Sequence, residues 1–283
     1  MKEHAKAIII CIFACIITLC SLVLISFIDS VDVYNASVED DLRLLYEDYD
    51  NNIIRSNITR IEYNNIKIKY SNLKNKRLNK KIEQINKYLT KKEIKQAWTK
   101  LNIKYISQNE NGVLNGCEAA CLLMALQYKG YLKNTTLKQF AKAMPKSNDP
   151  EKGFYLDIYT KIPPDISHWI APKPLRDFGV AASGNEKIVD ATGYSLDELD
   201  NEVKNGNPVI IYLTAEFTKP EDWKNGVPKN LHVQLLAGYN EITKEHLIID
   251  SWKYKNKSSY WYKSKKEIEK LYNQLGKRAV IVR

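Results

Sequence analysis

Cysteine is scarce in this chain. Of five in 283 residues, Cys11, Cys15 and Cys20 fall in the first 20 positions, and only Cys117 and Cys121 lie beyond them. A framework of several disulfides is excluded, so any exported domain must stand on a hydrophobic core. Proline and glycine are missing altogether from 30–100, which leaves that stretch without the usual punctuation of a compact, turn-rich domain. No GxxxxGK[ST] phosphate loop occurs anywhere, which removes ATPases of that kind. Histidine totals four, so candidates for a general base are few. The net charge of +10 would suit anionic partners such as nucleic acid, wall polymers or lipid headgroups. The lysines are scattered, however, and no basic motif interleaved with aromatics appears, so nucleic acid is not an expected partner.

What is present is enough to fold. Hydrophobic residues make up 44% and aromatics 10% of the chain, which excludes global disorder. Residues 7–28, AIIICIFACIITLCSLVLISFI, form an uncharged run long enough to span a bilayer as a helix. Lys2 and Lys6 precede it and acids follow, so the N-terminus is expected in the cytoplasm and the remainder outside. Neither Ser26 with Ile28 nor Tyr34 with Ala36 makes a good small-residue cleavage site, and Leu19 before Cys20 is bulky for lipidation. The expectation is an uncleaved signal anchor, with 1–29 as cytoplasmic tip and span.

The 30–100 stretch shows intermittent helical spacing with alternating charge, as in NKKIEQINKYLTKKEIKQAW. It reads either as a polar helical stalk or as a partly disordered spacer. From about 101 the composition changes, and 101–283 is expected to be the functional domain. NIKYIS (102–107) reads as a short strand. The apolar 116–129 reads as a core helix stopped by Gly130. Further helices are expected at 136–144, after Pro172, and at 195–206 behind a Ser cap. PVIIYLTAEF (208–217), HVQLLAGYN (232–240), HLIID (246–250) and RAVIVR (278–283) are strands by β-branched content or alternation. Helices first and a mostly antiparallel sheet after them make an α+β fold.

The chemistry turns on Cys117. With Asn115 as N-cap it falls in the first turn of a helix, where unsatisfied N–H groups and the dipole favour a thiolate. Cys121, one turn deeper, is expected to be core packing, and packing remains the alternative for Cys117 too. A thiolate needs a base and an orienter for that base. His4 precedes the membrane run, His168 reads as structural or solvent-facing, and His246 has no evident acidic neighbour. His232 opens one strand of a hairpin whose other strand ends at Asp250, so the two share an edge. Whether they share a face depends on the register through 240–245. Gln108, nine residues before the cysteine, could donate to an oxyanion. The two external cysteines lie at helical spacing without acids or histidines in a ligand pattern, so no metal or other cofactor is expected.

The stretches YISQNENGVLNGCEAACLLMALQYKGY, Gly153–Phe154, GNPVIIYLT and HVQLLAGYN…LIIDSW resemble the papain-like cysteine peptidases related to the bacteriocin double-glycine leader peptidases. The resemblance is closest to that clan's exported, stand-alone bacterial branch and covers about 101–260. It implies a papain-like fold with Cys117 as nucleophile, His232 as base, Asp250 as orienter and Gln108 as oxyanion donor. The family often carries Pro after the Asp, where this chain has Ser251. The expected activity is hydrolysis of a peptide or isopeptide bond in a peptide or protein substrate at the cell surface. The alternatives are acyl transfer to an amine on the same fold and an inactive surface binding module. A disulfide oxidoreductase would want its cysteines two residues apart, not three.

Overall fold

The computed structural model describes residues 2–160, 167–224 and 226–283, and side chains from residue 11 onward. The side chains of Lys2, His4 and Lys6 lie outside that description, as does 161–166 of the loop expected after Gly153. The chain divides into two compact units, Met1–Gln96 and Ala97–Arg283.

In the first unit α1 (Lys2–Arg43) is one continuous helix. Its most apolar window has mean hydropathy 2.8 and none of it is buried within the protein. The hydroxyls of Thr18, Ser21 and Ser30 donate back to the carbonyls of Ala14, Ile17 and Phe27. That spares three donors which an apolar surrounding could not satisfy. The end of α1 changes role, for Val38 and Leu42 are fully buried. α2 (Arg60–Lys69) begins on a capping box between Thr59 and Glu62. α3 (Lys76–Gln96) buries Leu78, Ile82, Ile85 and Leu89, one stripe at helical spacing, and packs on α1 and α2. The 30–100 segment is therefore largely helical and carries a small apolar core of its own, completed by Tyr46, Ile58 and Tyr63.

The second unit holds, among the described residues, a seven-stranded antiparallel sheet. Its strands are β1 (Trp98–Lys100), β2 (Ile188–Asp190), β3 (Val209–Thr214), β4 (Leu231–Asn240), β5 (Glu245–Ile249), β6 (Tyr260–Ser264) and β7 (Ala279–Val282). They lie in the order β6-β5-β4-β3-β7-β2, with β1 paired to the far end of β4. Helices α4 (Cys117–Tyr128), α5 (Leu137–Ala143), α6 (Pro172–Ser183), α7 (Leu196–Lys204) and α8 (Lys265–Gln274) complete it. α4 is buried continuously from Cys117 to Leu126 and packs on β4 and β3, as its all-round apolar sequence requires. α+β is thus the fold class, with the cysteine helix laid against an antiparallel sheet.

Two details differ from expectation. The strand before the cysteine segment is 98–100, not 102–107, because β3 already occupies the edge of β4 over Leu231–Leu236. The chain makes one more sheet-like bond, Leu101 N–H to Ala237 O at 2.7 Å, and then leaves. α8 and β6 were not anticipated at all, although Ser264 and Glu267 form a capping box ahead of the buried Ile268 and Leu271.

The β4–β5 hairpin fixes the register that matters. Near its turn Gly238 faces Leu247 and Tyr239 faces His246; past a bulge at Ala237, Leu236 faces Ile248 and Leu235 faces Ile249. Continued by one residue, Asp250 lies across from Gln234, on the face shared by His232. Without the bulge Asp250 would oppose Leu235 and point to the other face. Gly238 belongs to the same device: a Cβ there would sit 2.8 Å from Thr99 O on β1.

Candidate active site

Cys117 is the first residue of α4, but its N-cap is Gly116, which offers no side-chain bond. Asn115 is not the cap expected of it. Its amide donates instead to the carbonyls of Asp157 and Thr160, both at 2.7 Å. Gly116 is forced by the tight approach, since an added Cβ would lie 2.4 Å from Val113 Cγ1. Cys117 is 7% exposed. Burial pushes its thiol well up, and the Glu118 carboxylate adds to this, against a downward pull from the Val233 backbone N–H. The helix start alone does not make a resting thiolate here; burial and a neighbouring acid win.

His232 and Asp250 meet on the common face set by the bulge, with Nε2 to Oδ1 at 2.6 Å. Asp250 is fully buried and accepts three further bonds, from Trp252 N–H (2.8 Å), Tyr254 Oη (3.0 Å) and Gln234 Nε2 (3.2 Å). Burial alone would raise its carboxyl, but the His232 charge and these bonds bring it below the usual range. For His232 burial pulls downward, yet the Asp250 carboxylate outweighs it and moves the ring above its ordinary value. Nε2 is thereby committed to the acid, and Nδ1 is the nitrogen left over.

Gln108 opens a turn rather than ending a strand. Ser251 grips it twice: Gln108 N–H donates to Ser251 O at 2.8 Å, and Ser251 Oγ donates to Gln108 Oε1 at 2.5 Å. With the amide oxygen so engaged, Nε2 must point the other way, where one N–H goes to Leu114 O at 2.8 Å. Ser251 thus orients the amide through its hydroxyl. Gln108, Cys117 and His232 line one cleft of about 290 Å³, with Trp252 and Tyr254 on its wall.

The other histidines separate cleanly. His168 also lines this cleft, but its Nδ1 is held on Asp157 O at 2.6 Å. His246 is fully buried and does have an acidic partner, Asp200 on α7, with Nε2 to Oδ1 at 2.6 Å. That partner lies 46 residues upstream and does not show in strand alternation.

One functional candidate was overlooked in the sequence. Glu118, the only charged residue of α4, is fully buried and accepts from Cys117 Sγ at 3.2 Å and from Ile170 N–H at 3.3 Å. A lone acid in a wholly apolar helix was the available signal. Burial pushes its carboxyl from 4.5 up to about 7. Between those values the folded chain holds a proton that the unfolded chain has lost, so stability falls as pH rises across that window. The loss is on the order of 3 kcal/mol. Glu118→Gln should flatten this part of the curve in denaturant titrations from about pH 5 to about pH 8. An unchanged slope would mean that the carboxyl is not desolvated.

The family model of C39-like peptidases matches residues 100–280. The chain belongs to the C39-like peptidase family. It is 29% identical over 209 residues to the uncharacterized protein YvpB of Bacillus subtilis strain 168, a match covering 68% of this chain and 79% of that one. A crystal structure assigned as a C39-like peptidase from Bacillus anthracis superposes with a TM-score of 0.55 at 27% identity. It covers 64% of this chain and 95% of its own. The C39-like match contains Gln108, Cys117, His232 and Asp250, and it begins after the first compact unit ends.

Proposed function

We propose that this C39-like protein is a membrane-anchored, extracytoplasmic cysteine peptidase that hydrolyses a peptide or isopeptide bond. The observation that carries it is a single cleft lined by Cys117, at the start of α4, and by His232, whose ring Asp250 holds through Nε2. Cys117 Sγ attacks the carbonyl carbon, and the oxyanion forms beside the second N–H of Gln108 and the Cys117 backbone N–H, one of the unbonded donors of a helix start. His232, with Nδ1 toward the cleft, gives a proton to the leaving amine. Water then cleaves the acyl-enzyme. The test is exposure of cell-envelope proteins to the full-length protein in detergent, followed by mapping of new N-termini. Cleavage at a restricted set of bonds is expected; no new termini would leave a binding module.

The second reading, an inactive module, draws on the burial that keeps the Cys117 thiol protonated at rest. A thiol-reactive probe separates the two, since a nucleophile paired with His232 labels far faster than a packing thiol.

Anchoring rests on α1, whose bare apolar stretch is long enough to span a bilayer. The full-length protein should sediment with membranes, and protease added outside intact cells should digest the C-terminal unit. A shortened soluble form beginning near residue 30 would refute the anchor.

A further inference from the structure

The lysines of α3 are scattered in the sequence, but the helix gathers them. Lys76, Lys80, Lys87, Lys91 and Lys95 fall within an arc of about 100° at the pitch of an α-helix. That arc lies opposite the buried stripe of Leu78, Ile82, Ile85 and Leu89. All five side chains are exposed, and among the described residues none has an ion pair or a side-chain hydrogen bond. The rest of the first unit is built differently. Each of its arginines meets a carboxylate: Arg43 and Arg77 on Glu39, Arg55 on Glu62, and Arg60 on Glu93. The lysines of α3 outside the arc serve the fold, with Lys81 donating to Tyr49 O and Lys92 to Ser56 O. Within the arc the one acid is Glu83.

A helix face that only meets water mixes its signs, since opposite charges four residues apart support the helix and like charges weaken it. Here Lys76–Lys80, Lys87–Lys91 and Lys91–Lys95 are like pairs at that spacing. The first turn also holds Lys76 and Arg77, with no acid to match the dipole. The stripe therefore weakens α3 and supports no contact within the fold. We propose that it binds a linear polyanion, a polymer with phosphates along its backbone, on the outer side of the membrane. The five ammonium groups extend over about 29 Å of helix, so one extended strand of polymer can meet them in turn. Lysine suits that role, because its compact charge sits on a flexible stem and demands no fixed geometry. Tyr88, the only aromatic of α3, packs on the small core, which leaves the helix without a ring for a nucleic-acid base to stack on. Lipid headgroups are too far away, an argument that rests on reading α1 as the anchor. Arg77 is level with Glu39, which stands about 16 Å of helix beyond Ile28, where the apolar run ends. Screening confines the surface potential of a membrane to about 8 Å. Lys81 then lies beside Tyr46 and Tyr49, so α3 runs on in the sense in which α1 leaves the bilayer.

The test measures the full-length protein, in uncharged detergent, against long-chain inorganic polyphosphate held on a surface, across a salt series. The wild type should be retained, and inorganic phosphate at the same phosphate concentration should not displace it. The variant Lys76→Gln/Lys80→Gln/Lys87→Gln/Lys91→Gln/Lys95→Gln keeps the helix propensity of the face and should bind about a hundredfold more weakly at low salt. Its slope of log affinity against log salt should be shallower by about three, at about 0.7 for each contact with a flexible polyanion. Glu83→Gln, a single exposed change, should tighten binding by about twofold or more. The control Lys133→Gln/Lys138→Gln/Lys142→Gln/Lys266→Gln/Lys270→Gln removes the same charge from exposed positions of the second unit and should bind nearly as the wild type does. No retention of the wild type, or equal weakening in the two fivefold variants, overturns the proposal, and so does an unchanged affinity in Glu83→Gln. The comparison is then repeated in vesicles of phosphatidylcholine, with and without phosphatidylglycerol. If the gap between the wild type and the stripe variant vanishes once phosphatidylglycerol is present, headgroups occupy the stripe and the polymer reading fails. Failure of the anchor would show differently, as protein that never enters the vesicles while its retention in detergent persists.

Discussion

Cys117→Ser should abolish cleavage, lowering turnover by about a thousandfold or more, while the protein still folds. A hydroxyl fills nearly the same space, and Glu118 Oε2 remains within reach as an acceptor, so the buried contact at 3.2 Å is preserved in kind. What is lost is the sulfur nucleophile, whose proton is far easier to remove than that of a hydroxyl in the same place. Cys121→Ser is the control. Cys121 is fully buried one turn deeper, and its Sγ donates to Val233 O at 3.4 Å. A serine there has an acceptor waiting, so its cost should be on the order of 1 kcal/mol rather than that of an orphaned hydroxyl. Activity per folded molecule should survive. A small electrophile should map to Cys117 in the wild type and in Cys121→Ser, and be absent from Cys117→Ser. Adduct on Cys121, or equal loss of activity from both substitutions, would sink the assignment of Cys117 as the reagent.

The elements that could be read from the chain were those whose signal is local. The apolar run of α4, the Ser195 cap of α7 and the alternating content of β4 and β5 all carry their own cause within a dozen residues. The site residues could be proposed by type and order, but their meeting could not be. His232 and Asp250 reach one face because a bulge at Ala237 shifts the register by one, and that bulge lies beside β1, a strand far upstream in the chain. Asn115 looked like a cap because Asn commonly caps, whereas here its amide bridges to the 157–160 loop. The proton state of Cys117 was the least legible feature. Helix position argues one way and burial beside Glu118 the other, and only packing decides between them. Polarity in 30–100 likewise hid a small core, since Leu78, Ile82, Ile85 and Leu89 are spread thinly among lysines and asparagines.

Asp250→Asn should cut turnover by about a thousandfold to ten-thousandfold and leave the fold standing. The local bonding can adapt. An asparagine whose oxygen stays toward His232 and Trp252 N–H turns its amide toward Gln234, and Gln234 Oε1, buried without a partner, can swing round to accept. Tyr254 Oη, now a donor at 3.0 Å, can rotate and accept as well. The charge cannot be replaced. Burial, which already pulls the His232 imidazolium down, is then opposed by Glu118 without the aid of Asp250, and the ring holds the proton meant for the leaving amine less firmly. The pair also leaves a signature in stability. His232 is raised when folded, so its contribution is complete below the unfolded value of 6.5 and is lost as pH climbs through the folded one. Asp250 is lowered, so its contribution is complete above 3.8 and is lost as pH drops through its folded value. The stability gap between wild type and Asp250→Asn should therefore be widest between those two unfolded values and narrow on either side. His246→Asn, which breaks the buried contact with Asp200, should cost stability without touching this window of activity. Equal loss of turnover from Asp250→Asn and His246→Asn would mean that damage to the sheet, and not loss of the orienting carboxylate, had been measured.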